Sequence, residues 1–92
     1  MDIKDRVATQ IIKEQELIIG PIAWKEAGKV PGLRLDSTAH MVYVEGDVKA
    51  VLESLVGRYE RLFGQLSRDV CRDAVRPYIA KIPEDQLPTA LR

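Results

Sequence analysis

The sequence predicts a mainly α fold: a small helical bundle with a short β-hairpin after its N-terminal helices and a long or bent C-terminal helical arm. Three observations predict it. Apolar residues in the second half of the chain recur at alternating spacings of four and three, the periodicity of a helix seam. The first segment carries an amphipathic stripe, and a Pro-Gly turn signal followed by two short extended runs lies between these segments. Ninety-two residues, 46% hydrophobic and 30% charged, suit a single domain over residues 1–92.

Residues 2–19 predict the first helix. Its apolar residues share one helical face, whereas most charged residues fall on the other. That face is formed by Ile3, Val7, Ala8, Ile11, Ile12, Ile18 and Ile19. Gln15 interrupts the stripe one turn after Ile11, which leaves two interpretations. Gln15 lies either at the wet edge of the stripe or in a seam, as a buried amide that fixes the register of a paired helix.

Gly20-Pro21 predicts the end of this helix and the start of a short second one, residues 21–29, because proline is accepted at the first position of a helix. Trp24 lies in this segment. We interpret its large side chain as a core or hinge anchor, with a partner-binding hot spot as the alternative.

Pro31-Gly32 is a strong turn signal. Two extended runs follow, residues 33–35 and 41–44, joined by residues 36–40. The second run, Met-Val-Tyr-Val, is rich in β-formers, so the pair predicts a small hairpin. Because a lone hairpin is marginal in water, we expect it to pack on the helices or to add to another sheet.

Asp47 is placed to cap the long helix that follows. The helix carries the apolar ladder Val48, Leu52, Leu55, Tyr59, Leu62 and Leu66. We expect the N-terminal helix to pack along this ladder. Small residues recur every seven positions on the opposite side, which favours a second close helix neighbour there. These are Ala50, Gly57, Gly64 and Cys71.

The helical arm has two possible courses. The first is a break or bend near Gly64, with Ser67 capping a further helix. The second is a continuous helix to the region of Pro77, which would tolerate two interior glycines at about 1 kcal/mol each. We favour the break. Residues 82–88 predict one short turn of helix between prolines, followed by a frayed end.

The chain contains no glycine-rich phosphate loop, paired CxxC, HExxH or nucleophile elbow, so we predict neither enzymatic activity nor a cofactor or metal site. We interpret His40, the single histidine, as structural or neutral. Cys71 lies near Arg68 and Arg72, and we interpret it as a small buried hydrophobe, with thiol sensing as the minor alternative. The single cysteine and the charged N-terminal start predict a soluble, cytoplasmic protein.

Fourteen basic residues balance fourteen acidic ones, so bulk charge gives no indication of nucleic-acid binding. The most basic feature is a stripe of arginines, with Asp69 and Asp73 interleaved. It comprises Arg58, Arg61, Arg68, Arg72 and Arg76. Alternating charges of this kind are typical of a solvated, salt-bridged helix face. A protein-partner patch and a phosphate-backbone contact remain the alternatives.

These observations favour a non-enzymatic protein–protein interaction module, a small regulatory or adaptor protein that self-associates as a homodimer. The reason is apolar surface: Trp24, the hairpin and part of the tail are expected to need cover from a second chain. The candidate partner-binding residues are Trp24, Tyr43, Arg68, Arg72 and Arg76. The alternative is a dimeric nucleic-acid-binding protein that presents the arginine stripe. A third possibility is an enzyme whose site forms between chains around His40 and Cys71.

Overall fold

The computed structural model describes residues 2–36 and 38–91 and confirms the mainly α fold. Its main elements are α1 (Ile3–Ile19), α2 (Ile22–Ala27), β1 (Leu33–Asp36), β2 (Met41–Val44), α3 (Val48–Phe63) and α4 (Gln65–Val75). Short 3-10 helices follow at Arg76–Lys81, Glu84–Gln86 and Thr89–Leu91. The hairpin thus lies between the two N-terminal helices and the C-terminal helical arm, as the sequence predicts.

The hairpin packs on α1 through both apolar and polar contacts. Its antiparallel register pairs Leu35 with Val42, and Val42 and Val44 are buried. Two polar side chains one turn apart on α1 hold the edge of β2: Asp5 Oδ1 accepts the Val44 N–H at 2.7 Å and Thr9 Oγ accepts the Val42 N–H at 3.1 Å. The hairpin therefore needs no second sheet. Ser37, in the predicted connection between the strands, lies outside the described residues.

Helix α3 begins at the predicted cap, where Asp47 Oδ1 accepts the Ala50 N–H at 3.3 Å. It ends at Phe63 because Gly64 has φ +90°, a conformation that glycine adopts without strain. This confirms the break in the helical arm. The expected cap at Ser67 is wrong: α4 begins at Gln65 directly after Gly64, and Ser67 lies buried within the first turn.

The break changes which helix α1 contacts. We expected α1 to pack along the apolar ladder of α3, but α1 packs mainly on α4 and β2 and touches α3 only briefly. Because the chain turns at Gly64, α4 contacts both α1 and α3. The small-residue line has a close helix neighbour only at Cys71, which is buried and contacts Gln15 of α1. The expectation is wrong for the rest of the line, because Ala50 and Gly64 are exposed and an added Cβ at Gly57 would meet no atom within 4 Å.

The C-terminal tail closes one side of the core. The short helical turn after Pro83 is confirmed as Glu84–Gln86. The expectation of a frayed end is wrong, because Leu87 and Leu91 are buried and the Leu91 N–H donates to the Pro88 carbonyl at 3.0 Å. The free energy gained by burying these leucines thus outweighs the conformational entropy that the short terminal segment loses when it is ordered.

Candidate interaction surface

Two helix junctions meet at one end of the molecule. The first is Gly20-Pro21, between α1 and α2, and the second is Gly64, between α3 and α4. Two hydrogen bonds join them. On one side of the junctions, Gln15 Nε2 donates to the Ser67 carbonyl at 2.7 Å. On the other, the Tyr59 hydroxyl donates to the Ala23 carbonyl at 2.6 Å. Each bonded residue lies three to five positions from a junction glycine, so both chain reversals occur at the same end.

Six large apolar side chains are exposed within three residues of these glycines. We call them the junction surface: Leu17, Ile18, Ile22, Leu62, Phe63 and Leu66. Leu17 is 78% exposed and Leu66 67%. Among the described residues, Ile79 is the one large apolar side chain elsewhere with comparable exposure. Exposed apolar surface is therefore concentrated at one end of the fold.

This surface is as large as the largest apolar patches found on typical monomers. At on the order of 180 Å² for a fully exposed large side chain, the six exposed fractions amount to roughly 580 Å², near the top of the 300–600 Å² range for the largest apolar patch on a typical monomer. Patches of this size mark interaction sites more often than scattered surface leucines do. The junction surface is accordingly the strongest candidate site on the described part of the chain.

Charges of both signs border the junction surface. Lys13 lies one helical turn from Leu17, and Lys25 lies one turn from Ile22; both lysines are exposed. One turn from Ile18 and Leu66 lie Glu14 and Asp69. Charges of both signs also lie on the α3 side, where Arg58 and Glu60 are one turn from Leu62 and Phe63 and exposed Arg61 is next to Leu62. The rim as a whole therefore mixes acidic and basic side chains.

A buried polar group fixes the two helices beneath this surface. Gln15 is fully buried, and its Nε2 donates to the Ser67 carbonyl and, at 3.2 Å, to Cys71 Sγ. These contacts favour the second of our two interpretations, a buried amide in a helix seam, because they tie α1 to one position along α4.

Cys71 is fully buried in the same cluster. Burial raises the pKa of its thiol to about 12, so the thiol stays protonated at neutral pH and is a poor nucleophile. The structure supports the interpretation of Cys71 as a small buried hydrophobe and argues against thiol sensing.

The five predicted partner-binding residues are spread over four elements. Trp24 lies on α2, Tyr43 on β2, Arg68 and Arg72 on α4, and Arg76 at the start of the following 3-10 helix. None belongs to the junction surface.

Trp24 is only 9% exposed, and the His40 ring stacks on it with centroids 4.2 Å apart and an interplanar angle of 16°. This favours its interpretation as an anchor. Tyr43 is half-buried on the outer face of the hairpin, where the Arg34 guanidinium lies 5.4 Å from its ring centre. The contacts of both side chains are thus made largely within the chain.

The arginine stripe is divided among α3, α4 and the 3-10 helix that follows α4, and it is partly paired with acids. Three of the five arginines form ion pairs: Arg58 with Glu26 at 2.9 Å, Arg68 with Glu60 at 3.6 Å and Arg76 with Asp73 at 2.8 Å. The ion pairs agree with a salt-bridged face, but the face is not fully solvated, because the Nε atoms of Arg68 and Arg72 are buried.

Sequence reasoning did not select the junction surface. Its signal was visible, since apolar residues flank both predicted helix breaks, at positions 17–22 and 62–66. A break at the end of an amphipathic helix leaves the last apolar residues without a neighbour unless another element covers them. We had instead expected the hairpin and Trp24 to need cover, and those are covered by α1 and His40.

Comparisons with protein-family models, with curated proteins and with solved structures give no match to this chain. Within residues 2–36 and 38–91, no helix is long and apolar enough to cross a bilayer. In the same residues, no three His, Cys, Asp or Glu side chains are grouped to hold a metal ion. A functional proposal therefore rests on the geometry of the chain itself.

Proposed function

We propose that this protein is a non-enzymatic protein–protein interaction module that self-associates through the junction surface. The observation that carries the proposal is the concentration of six exposed large apolar side chains at one end of an otherwise well-covered core. Their burial is the main favourable term that association would gain, at roughly 25 cal/mol for each Å² removed from water.

A second copy of the chain is the occupant that fits this surface best. Two copies would contribute on the order of 1,000 Å² from the six side chains alone, and the rim residues would bring the total to the 1,200–2,000 Å² of specific interfaces. A smaller ligand would leave much of the patch in water.

Rim charge favours the same occupant. In a two-fold dimer the surface must complement itself. A rim of one sign would repel its own copy, whereas Lys13 and Lys25 can approach Glu14 and Asp69 of a second chain. The protein's equal numbers of acidic and basic residues also remove any long-range repulsion between copies.

Other sequence-derived hypotheses stay predictions. The cytoplasmic location, a regulatory or adaptor role and the partner-binding role of Trp24, Tyr43, Arg68, Arg72 and Arg76 have no further support. Binding of nucleic acid by a dimer is less favoured, because arginines already paired with carboxylates contribute less to counterion release.

The test is the mass of the full chain in solution by size exclusion with light scattering, over a hundredfold range of concentration. We expect a mass twice that of the 10.4 kDa chain at the high end. The double variant Leu17→Gln/Leu66→Gln removes the two most exposed apolar side chains, and we expect it to raise the dimer dissociation constant on the order of a hundredfold. Circular dichroism checks that the variant keeps its fold.

Ile79→Gln is the matched control. Ile79 is exposed but lies beyond the far end of α4, so this variant should dimerise as the natural chain does. A natural chain that stays monomeric at every concentration would overturn the proposal. Equal dissociation constants for the double variant and the natural chain would overturn the choice of surface.

A further inference from the structure

A second feature is an open groove between α3 and the segment that links α2 to β1. Its volume is about 420 Å³, within the range of small-molecule sites. Lys29 and Pro31 line one wall, and Ser54, Gly57, Arg58 and Arg61 line the other. All of these residues belong to one chain, and one of them, Arg61, is next to Leu62 of the junction surface.

The α3 wall is one continuous face of the helix. Ser54, Gly57, Arg58 and Arg61 follow the spacing i, i+3, i+4, i+7, which places them on the same side. Gly57 forms the floor between the charged side chains, and a Cβ added there would meet no atom within 4 Å. Core packing therefore does not require glycine at this position. Because Gly57 has no side chain, the helix backbone there is open to a ligand.

The cations of the groove are partly preoriented. Glu26 is nearly buried, and its Oε1 accepts from Arg58 Nε at 3.0 Å and lies 2.9 Å from Arg58 Nη2. Lys29 Nζ donates to Glu26 Oε2 at 3.2 Å. Burial disfavours the charged form of Glu26, but the hydrogen bonds from Arg58 and Lys29 outweigh that effect and lower its pKa. Glu26 thus stays ionised and holds both cations in place.

The groove keeps a net positive charge. The groove has three cations, Lys29, Arg58 and Arg61, and one carboxylate beside them, that of Glu26. Arg61 has no ion pair within the described part of the chain. The other α3 carboxylates, Glu53 and Glu60, lie about 100° around the helix from this face, and Glu60 is paired with Arg68.

We propose that this groove binds a phosphate dianion, either inorganic phosphate or the phosphomonoester of a small organic molecule. Guanidinium groups match phosphate oxygens in charge and planar geometry, and a lysine adds a point charge. The Ser54 hydroxyl supplies a neutral donor at the same wall.

The test is an NMR titration of the ¹⁵N-labelled full chain at constant ionic strength and pH 7.5, with glycerol 3-phosphate, inorganic phosphate and sodium chloride in separate arms. We expect saturable shifts of the Gly57 and Arg61 amides with a phosphate probe and none with chloride. A higher affinity for glycerol 3-phosphate than for inorganic phosphate identifies an organic ligand, and equal affinity identifies phosphate itself.

Arg61→Gln removes the unpaired cation without disturbing Glu26, and we expect it to weaken binding about tenfold. Gly57→Ala adds a methyl group to the floor and should weaken binding severalfold. Arg6→Gln is the control for net charge, because Arg6 is exposed on α1; it should bind as the natural chain does.

Three results would overturn the proposal. The first is a response to phosphate probes that does not saturate. The second is equal affinity in Arg61→Gln, Gly57→Ala and the natural chain. The third is saturable binding of a single-stranded oligonucleotide with none of glycerol 3-phosphate or phosphate, which would assign the groove to nucleic acid.

Discussion

The two halves of the α3 ladder share one sequence pattern but differ in their surroundings. Leu52, Leu55 and Tyr59 are completely buried, whereas Leu62 is 49% exposed and Leu66, beyond the break, is exposed further still. The first half is covered by α2, α4 and the C-terminal tail. The second half reaches the end of the bundle, where these neighbours turn or stop. Periodicity therefore identifies residues that can be buried together, and the neighbouring elements decide which of them are.

The sharpest test of this difference is alanine substitution in each half. Leu55→Ala should lower the free energy of unfolding by about 2–5 kcal/mol, because it opens a cavity in a fully packed core. Leu62→Ala should change it by less than about 1 kcal/mol, since half of the Leu62 side chain is already in water. Urea denaturation measures both, on the Leu17→Gln/Leu66→Gln background so that self-association does not contribute. Similar losses in the two variants would show that the end of the ladder is covered in solution.

Two glycines repeat the contrast between covered and open positions. Gly32 has φ +87°, and a Cβ there would lie 2.5 Å from Val51 Cγ2 and 2.9 Å from the Glu45 carbonyl oxygen. Gly32→Ala should therefore cost more than about 2 kcal/mol through strain and overlap. Gly57→Ala should raise stability by up to about 1 kcal/mol, because alanine is the better helix former and its methyl group meets no atom. Thermal melts of both variants measure whether the two changes in stability have opposite signs. A destabilised Gly57→Ala would contradict the open groove floor.

One buried hydrogen bond lies at the boundary between the two halves of the ladder. Tyr59 is the last fully buried member, and its hydroxyl donates to the Ala23 carbonyl. Tyr59→Phe should cost about 1 kcal/mol, the net worth of one buried hydrogen bond. The matched control is Tyr43→Phe, because Tyr43 is half-buried and its hydroxyl makes only a long contact, 3.9 Å, with Met41 Sδ. Equal stability of both variants, in the same denaturation experiment, would mean that the Tyr59 bond adds nothing to the packing of its ring.

Local features of the fold were predictable from the sequence because their causes are local. The cap at Asp47, the helix ends at Gly20 and Gly64 and the hairpin strands each depend on residues within a few positions. The partner of α1 was not predictable in this way. It depends on where α4 lies after Gly64, and that is decided by contacts such as Gln15 to Ser67, 52 residues apart.

For the two candidate sites as well, some features are visible in the local sequence and others depend on tertiary contacts. The apolar residues around Gly20 and Gly64 were visible in the sequence, but nothing local shows that the two junctions share one end. The groove needs Lys29 to lie beside Arg58, a consequence of the buried Glu26 that both contact. A glutamate in a short amphipathic helix reads as a surface residue until the tertiary contacts are known.

Glu26 gives the smallest and most specific prediction, on acid stability. The pKa of Glu26 is lowered in the folded protein, so its ion pairs contribute stability above the ordinary carboxyl pKa, and that contribution is lost as the pH falls through the lowered value. Between roughly pH 5 and pH 3, the natural chain should therefore lose more stability than Glu26→Gln, whose side chain does not titrate. Glu45→Gln is the matched control, since Glu45 is exposed and lies 4.0 Å from Arg34; its pH profile should follow that of the natural chain. Urea midpoints at pH 7, 5 and 3.5 give the comparison, and parallel profiles for all three proteins would show that the buried carboxylate is no better paired than a surface one.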